Sequence, residues 1–534
     1  MHDDAQVARV IVMTRALKNG QFPVRIVSDL GYGYGYPIFN FYAPLPYYVG
    51  AAFHIIGFDA LTATKLMIGL GVIVGTLAMY ICSSAFFGVY GGIFSAIVFT
   101  YFPYRAVQLF VRGAIGEYWA VSLIPFVLYG FFLLVQKQKM RRGICIMTLS
   151  LVGIILSHTV FGYLAIGCII SMLFIVGINS LYKNTYNFRK ITISLIIVLI
   201  ASLGVTAFFW FPALREMSYT NVYKVIGKSA DYSEHYICLS QLWDSPWGYG
   251  GSAPGCTDGM TFKLGKLHIL FFFLSFGLWV FSKRKAKRIH VILTGILALT
   301  LILIFMTLRG SKIIWDSVPF SSFIQYPWRL LGPIGSCIAL FVGFIFYNRS
   351  SRILFIVLFL CSSAIVLHSN KLFVPQYIFD KPVESYGELL ELRWRASGVS
   401  DEYLPKDIKI PKNQSEIVKE RITGNASVEV KKIKETEVLG VYEIIASEEQ
   451  KIVFHMAYFP GWTYRVNGVL VKPNIVEGQP SVVLSTGNNI IEMRFENTRE
   501  RSMGNWVSFV SIIGFVALLL YGKKIVRYDR YTRI

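Results

Sequence analysis

Charge is scarce in this chain. Only 16% of its 534 residues are Asp, Glu, Lys or Arg, against 54% hydrophobic and 15% aromatic residues. That balance excludes an ordinary water-soluble surface, which needs about a quarter charged residues. Acidic residues are scarcest: 31 Asp and Glu stand against 52 Lys and Arg, a net charge of +21. Such an excess can mark a nucleic-acid binder. Here, however, the basic runs sit between apolar segments, at Lys137 to Arg142, Lys183 to Lys190, Lys283 to Arg288, Arg349 to Arg352 and Lys523 to Arg533. Cytoplasmic loops of membrane proteins carry Lys and Arg in that way. The expected partner is therefore the lipid bilayer and not nucleic acid. Seven cysteines make no CxxC and no Cys/His metal spacing, which argues against a zinc site. Cys82, Cys145, Cys168, Cys337 and Cys361 lie in apolar stretches, as small core residues do. Cys238 and Cys256 share a polar loop, and a disulfide between them is expected if that loop meets an oxidising compartment. The chain opens without the basic and apolar regions of a signal peptide. It has no Ser-His-Asp or zinc-hydrolase motif, no short-period repeat and no low-complexity tract.

What is present is a series of long apolar segments. A membrane helix needs about 20 mostly apolar residues. The pattern fits 60–86, 88–103, 117–135, 143–158, 161–181, 191–212, 265–281, 290–308, 330–347, 353–368 and 506–522. The stretch 44–57 is apolar but short and starts on proline, and it reads as an interfacial helix. The expected fold is mostly α, a polytopic helical bundle of about eleven spans. With the N-terminus outside and the C-terminus in the cytoplasm, all five basic runs fall on one side. The polar loops 1–43, 104–116, 214–264, 309–329 and 369–505 then all fall on the other. Residues 1–368 make the membrane domain and 369–505 an extracytoplasmic domain; 506–534 make an anchor helix with a basic tail. In the second domain a short helix is expected near Glu388 to Arg395. Alternating runs follow at Val428 to Lys434, Val438 to Ile445, Ile452 to Tyr458, Tyr464 to Val471 and Ile490 to Phe495. Asn467-Gly468 is a strong hairpin signal. A small β-sandwich is expected there.

The candidates for chemistry fall on the outward side. They are His2, Asp3, Asp4, Arg9, Asp29, Arg105, Arg112, Glu117, His158, Gln325 and Arg329. Asp3 and Asp4 can serve as general base or hold a divalent cation, Mg or Mn, together with a substrate phosphate. They can equally be a solvated tip, or cap the helical-looking stretch Ala5 to Lys18. Arg105 and Arg112 stand seven apart and share a face if the segment is a helix. Two guanidiniums at headgroup level suit a phosphate, or they snorkel to lipid. In Gly31-Tyr32-Gly33-Tyr34-Gly35-Tyr36-Pro37 an extended strand would line the tyrosines on one side. Tyr34 and Tyr36 then stack on a sugar or sit in the interfacial aromatic belt. These glycines are no phosphate loop, since no GK[ST] follows. His158 ends an apolar segment, as a functional histidine or a helix-packing one. Gln325 and Arg329 flank Tyr326-Pro327-Trp328, which also reads as an interfacial anchor.

Several segments together carry a resemblance: HDD near the start, GQFPVRIVSDLGYGYGYPIFNFYAPLPYY, VRGAIGEYWA, LSHT, IQYPWRLLG and YFPGWTYRVNG. They resemble the bacterial multi-pass family labelled "6-pyruvoyl-tetrahydropterin synthase-related, membrane region". By architecture and the early acidic pair, that family is similar to the GT-C superfamily of polyprenyl-phosphate-sugar-dependent glycosyltransferases. The resemblance implies a GT-C-like bundle in a bacterial plasma membrane, with the site outside. It implies a polyprenyl-phosphate sugar donor and a glycan, lipid or protein acceptor. In GT-C enzymes the first outward loop, after the first membrane helix, carries the catalytic acid, and Asp3 and Asp4 match that position. The family's first helix is expected ahead of them, encoded upstream as about 20 apolar residues. The other reading is a non-catalytic transporter or flippase of lipid-linked glycans, or a structural cell-envelope assembly protein. Both would leave sugar transfer unchanged when the two aspartates become Asn.

Overall fold

The computed structural model describes residues 2–135, 139–183, 186–222, 231–282, 287–318, 321–347, 351–423 and 428–528. Thirteen helices order the account: α1 Gln6–Lys18, α2 Leu45–Ile55, α3 Ala60–Thr100, α4 Ile115–Val135, α5 Met140–Ser157, α6 Thr159–Lys183, α7 Tyr186–Val205, α8 Ala207–Glu216, α9 Lys266–Val280, α10 Lys287–Thr307, α11 Leu331–Val342, α12 Arg352–Ser369 and α13 Arg499–Tyr528. All eleven expected apolar segments are helical. Among the described residues, eight helical stretches are long and apolar enough to cross a membrane, and Thr159–Phe174 and Lys266–Val280 are apolar but shorter.

Helix α3 shows how sequence becomes packing. Its 41 residues would span about 60 Å if straight, at about 1.5 Å per residue. That is twice the hydrocarbon core of about 30 Å. The run instead folds back at Gly88, where φ is +84° and ψ 179°, a backbone region that glycine enters freely. The Thr76 and Thr100 hydroxyls meet at 2.7 Å, and the Ser83 hydroxyl donates to Ser95 Oγ at 2.8 Å. The pair nearer Gly88 in one arm is also the nearer in the other, so the two arms are antiparallel. The division expected at 86–88 is correct. Gly343, just past α11, fills the seam between the arms. A Cβ there would come within 2.6 Å of both the Ser83 and Ser95 hydroxyls.

The polar loops gather at one end of the bundle. The His2 amide donates to the Val111 carbonyl at 2.8 Å, and the Ile237 amide to the Thr307 carbonyl at 3.0 Å. The Asn221 amide reaches the Leu404 carbonyl at 3.0 Å, and the Tyr249 hydroxyl the Val374 carbonyl at 2.6 Å. The loops expected to share a side therefore touch one another. In sequence the basic runs follow the opposite helix ends, although residues 137–138, 184–185, 283–286, 349–350 and 529–533 of those runs lie outside the described residues.

Residues 391–396 form a helical turn where one was expected. Eight strands follow: β1 Val428–Glu435, β2 Leu439–Ala446, β3 Gln450–Val453, β4 Trp462–Val466, β5 Val469–Val471, β6 Asn474–Val476, β7 Gln479–Leu484 and β8 Gly487–Phe495. They make an antiparallel five-stranded sheet, ordered β1-β2-β8-β4-β5, and a three-stranded sheet, ordered β3-β7-β6. Tyr442, Ile444, Tyr464, Ile491 and Met493 of the first sheet share one core with Ile452, Val482 and Leu484 of the second. Asn467 and Gly468 turn at φ +52° and +80°, as an Asn-Gly hairpin does. Two expectations need correction. The strand at 452–458 stops at Val453, because the Ala457 amide bonds the Tyr34 carbonyl at 2.8 Å and the Tyr458 amide bonds the Gly478 carbonyl at 2.8 Å. The run 464–471 is two strands, and β6 and β7 carry too few residues to show as alternation.

A buried ion pair fastens α8 to α13. The Arg501 guanidinium donates to Glu216 Oε2 at 2.9 and 3.0 Å, and both residues are buried. Asn40 and Thr498 donate to the same carboxylate at 2.8 and 2.7 Å. Arg501 also donates to the Pro460 carbonyl at 2.8 Å, on the β-domain. Removing one partner of such a pair strands a buried charge, at about 3–5 kcal/mol. Glu216→Ala is expected to lose stability of that size in a thermal melt in detergent. A melt within about 0.5 kcal/mol of the parent, as for a surface change, would refute the tie.

Candidate functional site

The site grows from an unusual turn. Pro103 begins a short helix after α3, which widens into a π-helical turn over Val107–Arg112 and closes at Gly113 with φ +66°. A π turn bonds i to i+5, so residues four apart align better than on an α-helix. Tyr104, Gln108 and Arg112 come to one side, facing Glu117 in the first turn of α4.

Glu117 is completely buried. The Tyr104 hydroxyl donates to its Oε1 at 2.6 Å and the Gln108 amide at 3.0 Å. Arg112 Nη1 donates to Oε2 at 2.7 Å. Arg329 Nε stands 3.5 Å from the same oxygen, an ion pair too poorly aimed to be a hydrogen bond. Arg329 Nη1 donates to the Ile324 carbonyl at 2.7 Å and to Gln325 Oε1 at 3.0 Å. Gln325 is bent to φ +65° to present that oxygen. The guanidinium of Arg112 lies 4.6 Å over the Trp328 ring, and that of Arg329 lies 4.9 Å over Tyr326. His158, between α5 and α6, is close enough for the charges of Arg329, Glu117 and Arg112 to act on it. Two fixed cations thus share one carboxylate, leaving a surplus positive charge beside a completely buried acid. Burial works against the charge of Arg112, yet Glu117 and Tyr104 hold its guanidinium well above the usual range.

The amino-terminal segment runs beside the same turn. The Asp3 amide donates to the Arg112 carbonyl at 3.0 Å. Asp3 Oδ2 takes a bond from Arg9 Nη1 at 2.7 Å, while Asp3 Oδ1 has no partner. Arg9 projects from α1, is buried, and lies 4.6 Å over the Tyr42 ring. It also donates to the Tyr47 hydroxyl at 3.2 Å, and Tyr47 donates to Gln6 at 2.8 Å. Gln6 returns to the Gly113 carbonyl at 2.8 Å. That chain of bonds ties the aspartate to the end of the π turn. Asp4 does not cap α1: the cap position is Ala5 and no side chain bonds there. Desolvation by the surrounding protein lifts the Asp4 carboxyl above its ordinary range, and the Asp3 and Glu391 charges push the same way. His2 Nε2 lies 2.7 Å from the Tyr249 carbonyl.

The other expected site residues lie elsewhere. Arg105 shares no partner with Arg112, because the π turn breaks the straight-helix spacing. It is sandwiched 3.8 Å from Tyr118 and 4.3 Å from Phe99, and donates to Ser122 at 2.9 Å. Asp29 is taken up by ion pairs to Arg393, at 2.7 Å, and to Arg15. The glycine-tyrosine segment is curled rather than extended, with φ of +68°, +60°, +87° and +85° at Gly31, Tyr32, Gly33 and Gly35. It docks on the later part of the chain. Tyr36 is buried and its hydroxyl accepts the Tyr403 amide at 3.3 Å; the Tyr34 carbonyl holds Ala457. Cys238 and Cys256 form a disulfide, with Cα atoms 5.7 Å apart. Among the described residues no group of three or more His, Cys, Asp or Glu is placed to hold a metal.

Sequence reasoning passed over Tyr104 and Gln108. The signal was the spacing of four along Tyr104, Gln108 and Arg112, bracketed by Pro103 and Gly113. It also passed over Glu402, which accepts the Ser400 hydroxyl at 2.9 Å near Arg9. Burial raises the Glu402 carboxyl.

Residues 39–375 match a family model described as "6-pyruvoyl-tetrahydropterin synthase related domain; membrane protein". No curated protein and no solved structure matches the chain.

Glu117→Ala is expected to destabilise the protein by about 3–5 kcal/mol, since it strands buried cations. Arg112→Ala is expected to cost a similar amount. Combining the two should cost less than their sum, as coupled neighbours do. Strictly additive losses in denaturant titrations would show that the two groups do not act as a unit.

Proposed function

The chain belongs to the membrane-protein family described as 6-pyruvoyl-tetrahydropterin synthase related, and from that premise we propose that it is an integral-membrane glycosyltransferase. It moves a sugar from a polyprenyl-phosphate donor to a glycan, lipid or protein acceptor on the extracytoplasmic side. The pterin label describes relatedness and not chemistry, since no three-ligand metal cluster stands among the described residues. One observation carries the reading. The Asp3 amide is bonded to the Arg112 carbonyl, so an acidic pair sits against a cationic centre where the polar loops meet. Base and anion binder are the two parts that displacement of a lipid phosphate needs.

In the proposed reaction the acceptor hydroxyl oxygen attacks the anomeric carbon. The bond from that carbon to the phosphate oxygen breaks, and configuration inverts. Asp4 takes the hydroxyl proton; its raised carboxyl makes it a better base than an ordinary aspartate. Asp3, pinned by Arg9, orients the segment that bears both aspartates. The departing polyprenyl phosphate keeps the electron pair, and its charge falls to Arg112 and Arg329. Such preset cations stabilise charge that grows in the transition state. Glu117 keeps the two guanidiniums apart and aimed. A divalent cation would find the free Oδ1 of Asp3, but that carboxylate is already paired with Arg9. No step is routed through a metal.

Asp4→Asn is expected to lower sugar transfer about 10²–10⁴-fold while membrane levels hold. The acid limb of the rate profile should lie above the ordinary aspartate value of about 3.9. Transfer falls as the pH drops through that limb, because the proton then occupies the base. Unchanged glycan labelling by Asp3→Asn and Asp4→Asn variants would remove the enzyme reading and favour transport.

A further inference from the structure

The far helix ends carry the basic runs that orientation in a membrane explains. A second group of lysines lies at the opposite end, which that rule does not account for. Lys266 opens α9, Lys263 stands three residues before it, and Lys371 follows α12. The two helix ends are neighbours: Lys371, Lys263 and Lys266 all act electrostatically on His368, in the last turn of α12. One acid faces them, Asp244, 3.3 Å from Lys266 and itself exposed. Lys371 has no ion pair among the described residues. Below the lysines, α9 and α12 turn apolar side chains outward, including Leu270, Phe273 and Leu367. Beyond α12 the chain runs into Tyr377, Ile378 and Phe379, which are 66%, 89% and 79% exposed. Three consecutive large apolar residues in water are costly, whereas at a bilayer interface they are favoured.

The face leads to the candidate site. Phe373, between the lysines and the apolar tip, packs 5.3 Å from Tyr101 and 6.1 Å from Phe110, within the π turn. The Tyr249 hydroxyl bonds the Val374 carbonyl, and the Tyr249 carbonyl holds His2, next to Asp3.

We propose that Lys263, Lys266 and Lys371, with the apolar tip at 377–379, form a docking face for a polyprenyl phosphate drawn from the bilayer. Its phosphate meets the lysines and its hydrocarbon chain lies along α9 and α12. An anionic phosphate headgroup on a long apolar chain is the occupant that matches a compact cationic cluster above lipid-facing helix sides. The proposal rests on the transferase reading only in naming this lipid as the carrier from which the sugar is transferred.

The test uses the full chain in nanodiscs of neutral phosphatidylcholine, with a photoreactive polyprenyl phosphate as probe. Cross-links are expected at residues 377–379 and in the first turns of α9. Lys266→Glu with Lys371→Glu should cut labelling about tenfold or more, at about 1 kcal/mol for each lysine near a membrane. The milder Lys266→Gln with Lys371→Gln should lower it in the same direction. Excess phosphatidylglycerol or inorganic phosphate should not displace the probe. Displacement by either one, or labelling unchanged in both double variants, overturns the docking face. Binding is read without turnover, so the two ideas separate. Cross-linking without sugar transfer refutes the transferase alone; transfer without cross-linking at this face refutes the docking face alone.

Discussion

A buried carboxylate held between two arginines sets the constraint on which the rest is built. Glu117 could not stay ionised in a dry helix bundle by itself, since an isolated charge there costs several kcal/mol. Arg112 and Arg329 answer that cost from two different parts of the chain, with Tyr104 and Gln108 filling the remaining acceptor positions. The arrangement demands a particular backbone. The π turn at Val107–Arg112 brings Arg112 inward, and the bent Gln325 steadies Arg329. The first turn of α4 and the short turn Pro327–Leu330 ahead of α11 are thereby locked together. The amino-terminal segment can lie along the π turn because the turn's carbonyls at Val111 and Arg112 are left free to accept.

The β-domain is held onto this framework by apolar and polar contacts: Ile26, Phe41 and Ala213 share its core, and Phe41 stacks on Tyr403 at 5.4 Å. Arg501 and Glu216 fasten α13 to α8, while Arg393 clasps Asp29. The curled glycine-tyrosine segment presses against Val418, where a Cβ on Gly33 would approach the backbone oxygen to 2.5 Å. These contacts fix a carboxylate-rich segment around Glu402 above Arg9.

Much of the architecture is legible in the sequence because hydropathy and basic runs are long-range signals. The split at Gly88 follows from an apolar run too long for one crossing. The grouping of the polar loops at one end follows from where Lys and Arg cluster. The Asn467-Gly468 hairpin and the Cys238–Cys256 bond follow from local chemistry. The site is less legible. Glu117, Arg112 and Arg329 were each visible as charges in an apolar setting, but their convergence depends on a π turn whose period mimics a helix. For the same reason Arg105 was paired with Arg112, and the structure separates them. Asp29 looked available until Arg393, 364 residues away, claimed it. Short strands such as β6, three residues long, leave no periodicity to read.

The central claim is that the acidic pair and the two-arginine centre serve a single lipid phosphate. A cryo-electron-microscopy structure with a bound polyprenyl-phosphate sugar tests it most directly. The account predicts the phosphate within hydrogen-bond distance of Arg112 or Arg329, with the anomeric carbon facing Asp3 and Asp4. A phosphate seated at the opposite helix ends, or a sugar out of reach of both aspartates, would contradict it.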